Sequence, residues 1–385
     1  MIATASKYWA DLQPYRAERQ RCKNYTYGNQ WKDIVNVDGR RITEEQYIRS
    51  QGSAPLKNNL IRRIVRNVLG VFRNNYRLPA FGELSIPEAL KTDRLAERYD
   101  HTCTVNNLEE IYARVLEEYL IGGLAVVRKR VGLVDGAPEV LTDIVTPDSF
   151  FFNSDATDPR GWDINCIGEI HTVAGPDSPQ RIVEIWRRDG DRWHYSFITD
   201  DEKVLRSGES PYPGGMHPYV LKAYPFIDGE IHSFVADCID QQRYINRLIT
   251  LHDWVIRAGA KGVLLIPEGA VPDDLEIEDI AAQWSIHNGV IRYKARTGMP
   301  EPKQVSTTTS NAGITDLLEV QLKMMEDVSG INAALQGQIA NGNISGTLYE
   351  QQVRHSLTGL ADIIEGFRSF IAESAAKDVK ILAQL

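Results

Sequence analysis

The sequence predicts an α+β fold in which helices flank an antiparallel β region. Two patterns carry this prediction. Apolar residues recur at helical spacing over the first 120 residues and again beyond residue 226, whereas short β-rich runs separated by Asp, Gly and Pro occupy the middle. The 385 residues are 43% hydrophobic and 9% aromatic, enough to build two or three domain-sized cores.

The N-terminal region is predicted to be helical. The stretch Lys7–Tyr27 is rich in long charged and aromatic side chains, and Thr43 with Gln46 forms a capping-box pattern that opens a short helix. A stronger amphipathic helix is predicted between Pro55 and Pro79. The helix after it is predicted to end at Gly122-Gly123. The polar face of the stronger helix carries a basic group, Arg62, Arg63, Arg66 and Arg73.

The middle of the chain predicts an antiparallel sheet or a small sandwich. Its strand candidates are short, β-branched or aromatic, and bounded by turn residues. They are Ala125–Val131, Val140–Val145, Phe150–Phe152, Ile164–Val173, Ile182–Arg187, Trp193–Ile198 and Tyr219–Tyr224.

The second half predicts three long helices separated by an insert and a polar loop. The first helix covers Asp228–Ala258, and the second covers about Ile314–Val328. Between them, the strands Gly262–Ile266 and Gly289–Lys294 enclose a short helix, Asp274–Gln283, before a Pro/Thr/Ser linker at Pro300–Ser310.

The polar loop follows the second helix. Residues 330–346 hold four glycines and three asparagines. Thr347 and Glu350 then form a capping box that is predicted to open a helix running to the C-terminus. This loop offers flexibility and neutral hydrogen-bonding groups, although its local sequence also fits an ordinary helix connection.

The charge is distributed unevenly. The formal net charge is −9, but residues 1–80 hold fifteen Lys or Arg against six Asp or Glu, so this part carries +9 and the rest carries −18. The sequence pI of about 5.5 argues against a protein that binds nucleic acid tightly through its phosphates. A basic arm on an acidic body would orient the molecule in an assembly, although solvated basic helices explain the same pattern.

Motifs of enzyme chemistry are missing from the sequence. It contains no phosphate loop, dinucleotide-binding glycine motif, zinc-protease motif or nucleophile elbow, so we predict no catalytic residue, cofactor or metal. The four cysteines lie more than 60 residues apart and are predicted to be reduced thiols. No uninterrupted apolar run reaches the ~18 residues that a membrane-spanning helix needs.

The order of elements resembles that of tailed-bacteriophage portal proteins: stem helix, clip insert, stem helix, tunnel loop and long helix. Two stretches also resemble the family. The segment Phe226–Gly229 leading to Asp240–Asn246 is similar to the start of a portal stem helix. The segment Val328–Gly337, followed by Ser345-Gly346, is similar to the region around the tunnel loop.

The resemblance implies a domain plan. Residues 1–225 would form a wing of helices and antiparallel strands, 226–260 a stem helix, 261–310 the clip and 311–330 the second stem helix. Residues 331–345 would form the tunnel loop and 346–385 the C-terminal long helix. Many portal proteins carry a crown after the last helix, whereas this sequence ends at Leu385, so we expect the crown to be absent or short, or its C-terminal part to be missing, and predict no crown function.

The resemblance also implies partners. The chain would form a homo-oligomeric ring, typically of twelve subunits, at one vertex of the capsid. Double-stranded DNA would pass through the ring during packaging and ejection. The ring would dock the terminase large subunit, the head–tail adaptor and the major capsid or scaffolding protein, first in the host cytoplasm and then in the virion.

Three groups of residues follow from this mapping as expected contact sites. The tunnel-loop residues expected to face DNA are Asn332, Gln336, Gln338, Asn341 and Asn343. The clip residues expected to bind partners are Asp273, Asp274, Glu276, Glu278, Asp279, Arg292 and Lys294. The residues expected to face the capsid or scaffold are Arg62, Arg63 and Arg66, with the basic helices at the ring's periphery and the acidic half nearer its axis.

Two other interpretations stay open at the level of sequence. One is a different ring-forming or scaffold protein that shares only the helix-plus-insert architecture. The other is a metal-dependent phosphoesterase or nuclease built on the acidic cluster at residues 273–279, whose spacing does not match an EF-hand. A solvated acidic face explains the same cluster without a metal.

Overall fold

The computed structural model describes residues 1–75, 77–158, 160–174, 179–261, 263–265, 278, 282, 298, 303–305, 312–331 and 358–385. Of the described residues, 50% are helical and 23% are in strands, which confirms the α+β prediction. The four cysteines are free thiols, three of them buried, as predicted.

The N-terminal arm is helical, as predicted, and contains two helices. Helix α1 covers Ile2–Asp11 and α2 covers Gln13–Thr26, with a break at Leu12. Pro14 lies in the first turn of α2, where its missing N–H costs nothing, whereas in a continuous helix it would remove a hydrogen bond.

A hairpin that the sequence analysis missed follows these helices. Strands β1 (Ile34–Val37) and β2 (Arg40–Thr43) pair around Asp38 and Gly39, which both have positive φ. An Asp-Gly pair at this position is the usual two-residue hairpin turn. Helix α3 (Glu44–Ser50) then starts with the predicted capping box, because Thr43 and Gln46 exchange side-chain-to-backbone hydrogen bonds.

Three further helices complete the N-terminal region. Helix α4 covers Leu60–Asn75, and it begins later than predicted because the Asn59 side chain caps it by accepting a hydrogen bond from the Arg62 N–H. Helices α5 (Asp93–Asn106) and α6 (Leu108–Gly122) follow. Helix α6 ends as predicted at Gly123, where φ is +73° and a Cβ would lie 2.2 Å from the His232 carbonyl oxygen.

The middle of the chain forms two antiparallel sheets, as predicted. The first has the order β10-β3-β4, and the second runs in sequence order from β5 to β9. Strand β9 was missed because all six of its residues are exposed, so it shows no apolar alternation. The strands are β3 (Leu124–Val134), β4 (Ala137–Ile144), β5 (Phe150–Phe152), β6 (Cys166–Val173), β7 (Gln180–Asp189), β8 (Arg192–Thr199), β9 (Val204–Glu209) and β10 (Tyr219–Ala223).

The long helix α7 covers Phe234–Lys261, so its predicted start at residues 226–228 is wrong. Phe226, Asp228 and Gly229 have positive φ, which is incompatible with a right-handed helix. The actual start is set by Ser233, whose Oγ accepts a hydrogen bond from the Ala236 N–H at 3.1 Å.

Beyond α7, strands β11 (Val263–Leu265) and β12 (Lys303–Val305) pair antiparallel. Strand β12 lies in the segment Pro300–Ser310, so the prediction of a linker there is wrong at these three residues. The predicted strand at 289–294 lies outside the described residues. Helix α8 covers Ala312–Ser329, as predicted. The described part of the C-terminal helix is α9 (Ala361–Leu382), which Leu360 precedes in a turn, whereas the predicted capping box at 347–350 lies outside the described residues.

Helix α9 is held to the first sheet by a buried ion pair. Lys129 on β3 and Asp378 on α9 are both fully buried, with Nζ and Oδ2 2.7 Å apart. Lys129 also donates to Thr142 Oγ1 at 2.9 Å. Burial lowers the pKa of Lys129 and raises that of Asp378, so each charge depends on the other being present.

The neighbouring Lys377 predicts a pH dependence of stability. Its Nζ donates to the carbonyl oxygens of His217 and Tyr219, and burial lowers its pKa to about 8 from the ordinary 10.5. The folded chain therefore releases this proton near pH 8 while the unfolded chain keeps it to about 10.5. The contribution of Lys377 to the free energy of unfolding therefore rises as the pH rises from about 8 to about 10.5.

We expect Lys377→Met to lose this contribution. Between pH 8 and 10, the stability of the wild type should rise relative to the variant by at most ~1.4 kcal/mol per pH unit. Urea denaturation at several pH values measures the difference, with the exposed Lys380→Met as the matched control. A difference between wild type and Lys377→Met that stays constant over this range would contradict the prediction.

Candidate self-association surface

The helices α7 and α8 form a packed pair next to the small β11–β12 sheet. Strand β11 follows the end of α7 and β12 precedes α8, so the end of the first helix and the start of the second lie near the same sheet. The inward residues Leu318, Leu322 and Met325 of α8 share the main core with Ile245 and Ile249 of α7. This pairing fixes which side of each helix is left for solvent.

A row of apolar side chains lies on the solvent side of α8. Leu317, Val320, Met324 and Val328 are each 45–50% exposed. Their spacing of three and four residues places them on one face of the helix. We call these four residues the α8 stripe. Single exposed apolar residues are common, whereas a contiguous row on one helix is typical of an association surface.

A groove lies beside α7, between this helix, the β1–β2 hairpin and α3. Its volume is about 690 Å³. We call it the α7 groove, and its principal apolar walls are Trp31, Val35, Ile48, Leu251 and Trp254. Leu251 and Trp254 are about half exposed, so the groove is open to solvent. Its volume is in the range of clefts that take up several side chains.

Ion pairs build the floor of the α7 groove. Glu44, in the first turn of α3, is buried, and one of its carboxylate oxygens accepts hydrogen bonds from both Arg243 and Arg247. The pKa of Arg243 is raised: burial lowers it, but the hydrogen bond and the charge of Glu44, together with Tyr25 and Asp33, outweigh the burial. These contacts tie α3 to α7 and so hold the two walls of the groove at a fixed spacing.

The segment Asp240–Asn246, which carried part of the resemblance, has a defined structural role. Gln242 Oε1 accepts hydrogen bonds from the backbone N–H groups of Leu60 and Ile61 at 2.9 and 3.2 Å. Asn246 Oδ1 accepts one from the Asn58 N–H at 3.1 Å. The two amides therefore satisfy free donors at the start of α4 and dock that helix on α7.

Few of the predicted contact residues fall in the described part of the chain. The tunnel-loop set Asn332, Gln336, Gln338, Asn341 and Asn343 lies outside it. Of the clip set, Glu278 lies in the described part of the chain. It has a helical backbone conformation and is exposed. The rest of that set lies outside: Asp273, Asp274, Glu276, Asp279, Arg292 and Lys294.

The structure separates the three predicted capsid-facing arginines. Arg63 and Arg66 are exposed on α4. Arg62 instead pairs with Glu117 of α6, and its guanidinium lies 4.7 Å from the centre of the Tyr27 ring. Arg62 therefore holds helices of its own subunit together, whereas Arg63 and Arg66 are open to solvent.

Sequence reasoning missed a charged cluster on β6 and β7, formed by Glu169, His171 and Glu184. Glu184 is fully buried, and both its oxygens have protein donors. Trp186 Nε1 donates to one, while His171 Nε2 at 2.8 Å and Arg128 at 3.1 Å reach the other. We therefore explain the cluster as a hydrogen-bonded network within the sheet. In the sequence, the spacing of Glu169 and His171 on β6 places both side chains on one face of the strand, and this spacing could have indicated the cluster.

The comparison with protein families identifies the class of protein. A family model described as phage P22-like portal protein matches residues 4–174 and 167–378. These segments cover most of the chain, so the chain belongs to the phage P22-like portal protein family. A search of curated proteins finds no match.

Family membership confirms the resemblance that the order of elements suggested. The family consists of structural proteins of the phage particle. Within the described ranges, every helix is too short or too polar to cross a membrane.

Proposed function

We propose that this chain is the subunit of a portal ring at one vertex of the phage capsid. Double-stranded DNA would pass through the ring, which would assemble in the host cytoplasm and remain in the virion. The observation that carries the proposal is the α8 stripe, a row of half-exposed apolar residues on the long helical pair of a portal-family chain. Such a row is stabilised when a second subunit covers it.

The charge distribution is compatible with DNA moving through the ring. Residues 81–385 carry a net charge of −18, which opposes tight binding of phosphates. Each lysine or arginine bound to a phosphate would add to the friction on a moving duplex. An acidic body with a neutral loop at 331–345 would guide the DNA without holding it.

Partner contacts are assigned by region. We assign the terminase large subunit and the head–tail adaptor to the clip at residues 261–310. We assign the capsid or scaffolding protein to the exposed Arg63 and Arg66 on α4. The DNA contacts would be made by the Asn and Gln side chains of the tunnel loop, and no catalytic step is required of this chain.

Imaging of the purified protein tests the proposal. Negative-stain electron micrographs should show closed rings with a central hole, typically of twelve subunits, and mass photometry should give the corresponding mass. The hole should be wide enough for a DNA duplex. A protein that stays monomeric at micromolar concentration, or forms open filaments, would count against the portal function.

A further inference from the structure

The α8 stripe and the α7 groove lie on different helices of the α7–α8 pair. At about 100° per residue, Leu251 and Trp254 are turned some 170° around α7 from Ile245 and Ile249, which lie in the main core together with the inward residues of α8. One subunit therefore carries two different apolar surfaces facing in different directions. This is the arrangement that a head-to-tail ring requires, because each subunit must offer two unlike, complementary patches.

The two surfaces match in shape, because one is a row of protruding side chains and the other is a groove. The stripe from Leu317 to Val328 runs along about 16 Å of helix, and its residues lie at the spacing of a helix that binds in a groove. The α7 groove has a volume of about 690 Å³ and aromatic walls at Trp31 and Trp254. Four aliphatic side chains are therefore a suitable occupant.

The two surfaces also match in charge. Two exposed acidic residues, Asp316 and Asp327, flank the stripe on α8. Arg247, about half exposed, lines the groove, and the β1–β2 hairpin beside it carries the exposed Arg40 and Arg41 against one acidic residue, Asp38. Opposite charges around an apolar contact favour the head-to-tail pairing. A stripe-to-stripe contact would instead bring the acidic residues of both copies together.

We propose that the α8 stripe of one copy of this chain occupies the α7 groove of a second copy. This contact rests on the proposed ring and names the two surfaces that build it. It repeats around the ring, so every groove and every stripe is covered when the ring closes. The uneven charge of the sequence thereby gains a role, since the basic arm of one subunit meets an acidic helix of the next.

Disulfide trapping tests the contact directly. The double variant Leu251→Cys/Val320→Cys places one thiol in the groove and one on the stripe of every subunit. Under mild oxidation we expect a ladder of covalent oligomers on non-reducing gels, up to the full ring. Each single variant should give no ladder, because its new thiol faces a surface without one. Leu251→Cys/Glu319→Cys is the matched control, with the second thiol on the polar side of α8.

The outcomes separate this contact from the proposed function. Rings seen by electron microscopy without any ladder, for this pair and for the neighbouring pair Trp254→Cys/Met324→Cys, would overturn the contact and leave the portal function standing. Covalent dimers from Val320→Cys alone would also overturn it, because they indicate a stripe-to-stripe interface. Absence of rings in the wild type would instead count against the proposed function.

Discussion

Replacing Val320 with Asp is expected to convert rings into monomers. The change places a carboxylate in the middle of the α8 stripe, where ring formation would bury it without a partner. Loss of a central interface residue costs about 2 kcal/mol or more, roughly thirtyfold in affinity for each contact. Every subunit makes two such contacts in a closed ring, so the effect on assembly is larger still.

Mass photometry and sedimentation velocity measure this result. The matched control is Lys323→Asp, which introduces the same side chain at an exposed position on the polar side of the same helix. We expect the control to assemble like the wild type. Circular dichroism should show equal helix content for both variants, because neither residue is buried in the subunit. Rings of wild-type mass from Val320→Asp would exclude the α8 stripe from the interface.

Replacing Asp378 with Ala is expected to give the largest loss of subunit stability. Lys129 would then keep its charge in a fully buried position with Thr142 as its remaining described side-chain partner. Removing one partner of a buried ion pair typically costs about 3–5 kcal/mol. The variant should therefore unfold at a clearly lower urea concentration, measured at one fixed protein concentration because ring formation also adds stability.

Two comparisons isolate the cause of that loss. Glu365→Ala breaks the exposed pair with Arg368 on the same helix and should cost less than about 1 kcal/mol. The double variant Lys129→Met/Asp378→Leu removes both charges and should recover most of the stability, because no charge is left buried. An Asp378→Ala variant as stable as Glu365→Ala would show that the buried pair contributes little.

The sequence predicted the elements whose signals are local. The capping box at Thr43, the glycine end of α6 and the apolar spacing of α8 were confirmed because each depends on residues a few positions apart. Elements without a local apolar signal were missed or misplaced. Strand β9 is exposed on both faces, and the segment at 226–233 is held out of the helix by its backbone conformation.

The candidate surface was less accessible to sequence reasoning. Most of the predicted contact residues were placed in the tunnel loop and the clip by resemblance, whereas the candidate surface lies on α7, α8, α3 and the β1–β2 hairpin. In the sequence, the residues of the α8 stripe belong to one helical apolar pattern over 314–328, which does not separate Met324 and Val328 from the inward-facing Leu318. Which apolar residues face the core and which face solvent depends on how α7 packs against α8.

The sequence by itself determined the fold class, the order of helices and strands, the uneven charge and the portal-family resemblance. These properties follow from composition and short-range spacing. Only the tertiary structure decided that Gln242 caps α4, that Lys129 pairs with Asp378, and that a groove opens beside α7 while an apolar stripe is exposed on α8. Each of these features joins residues distant in the chain, and such contacts are selected by packing of the whole subunit, which local spacing does not specify.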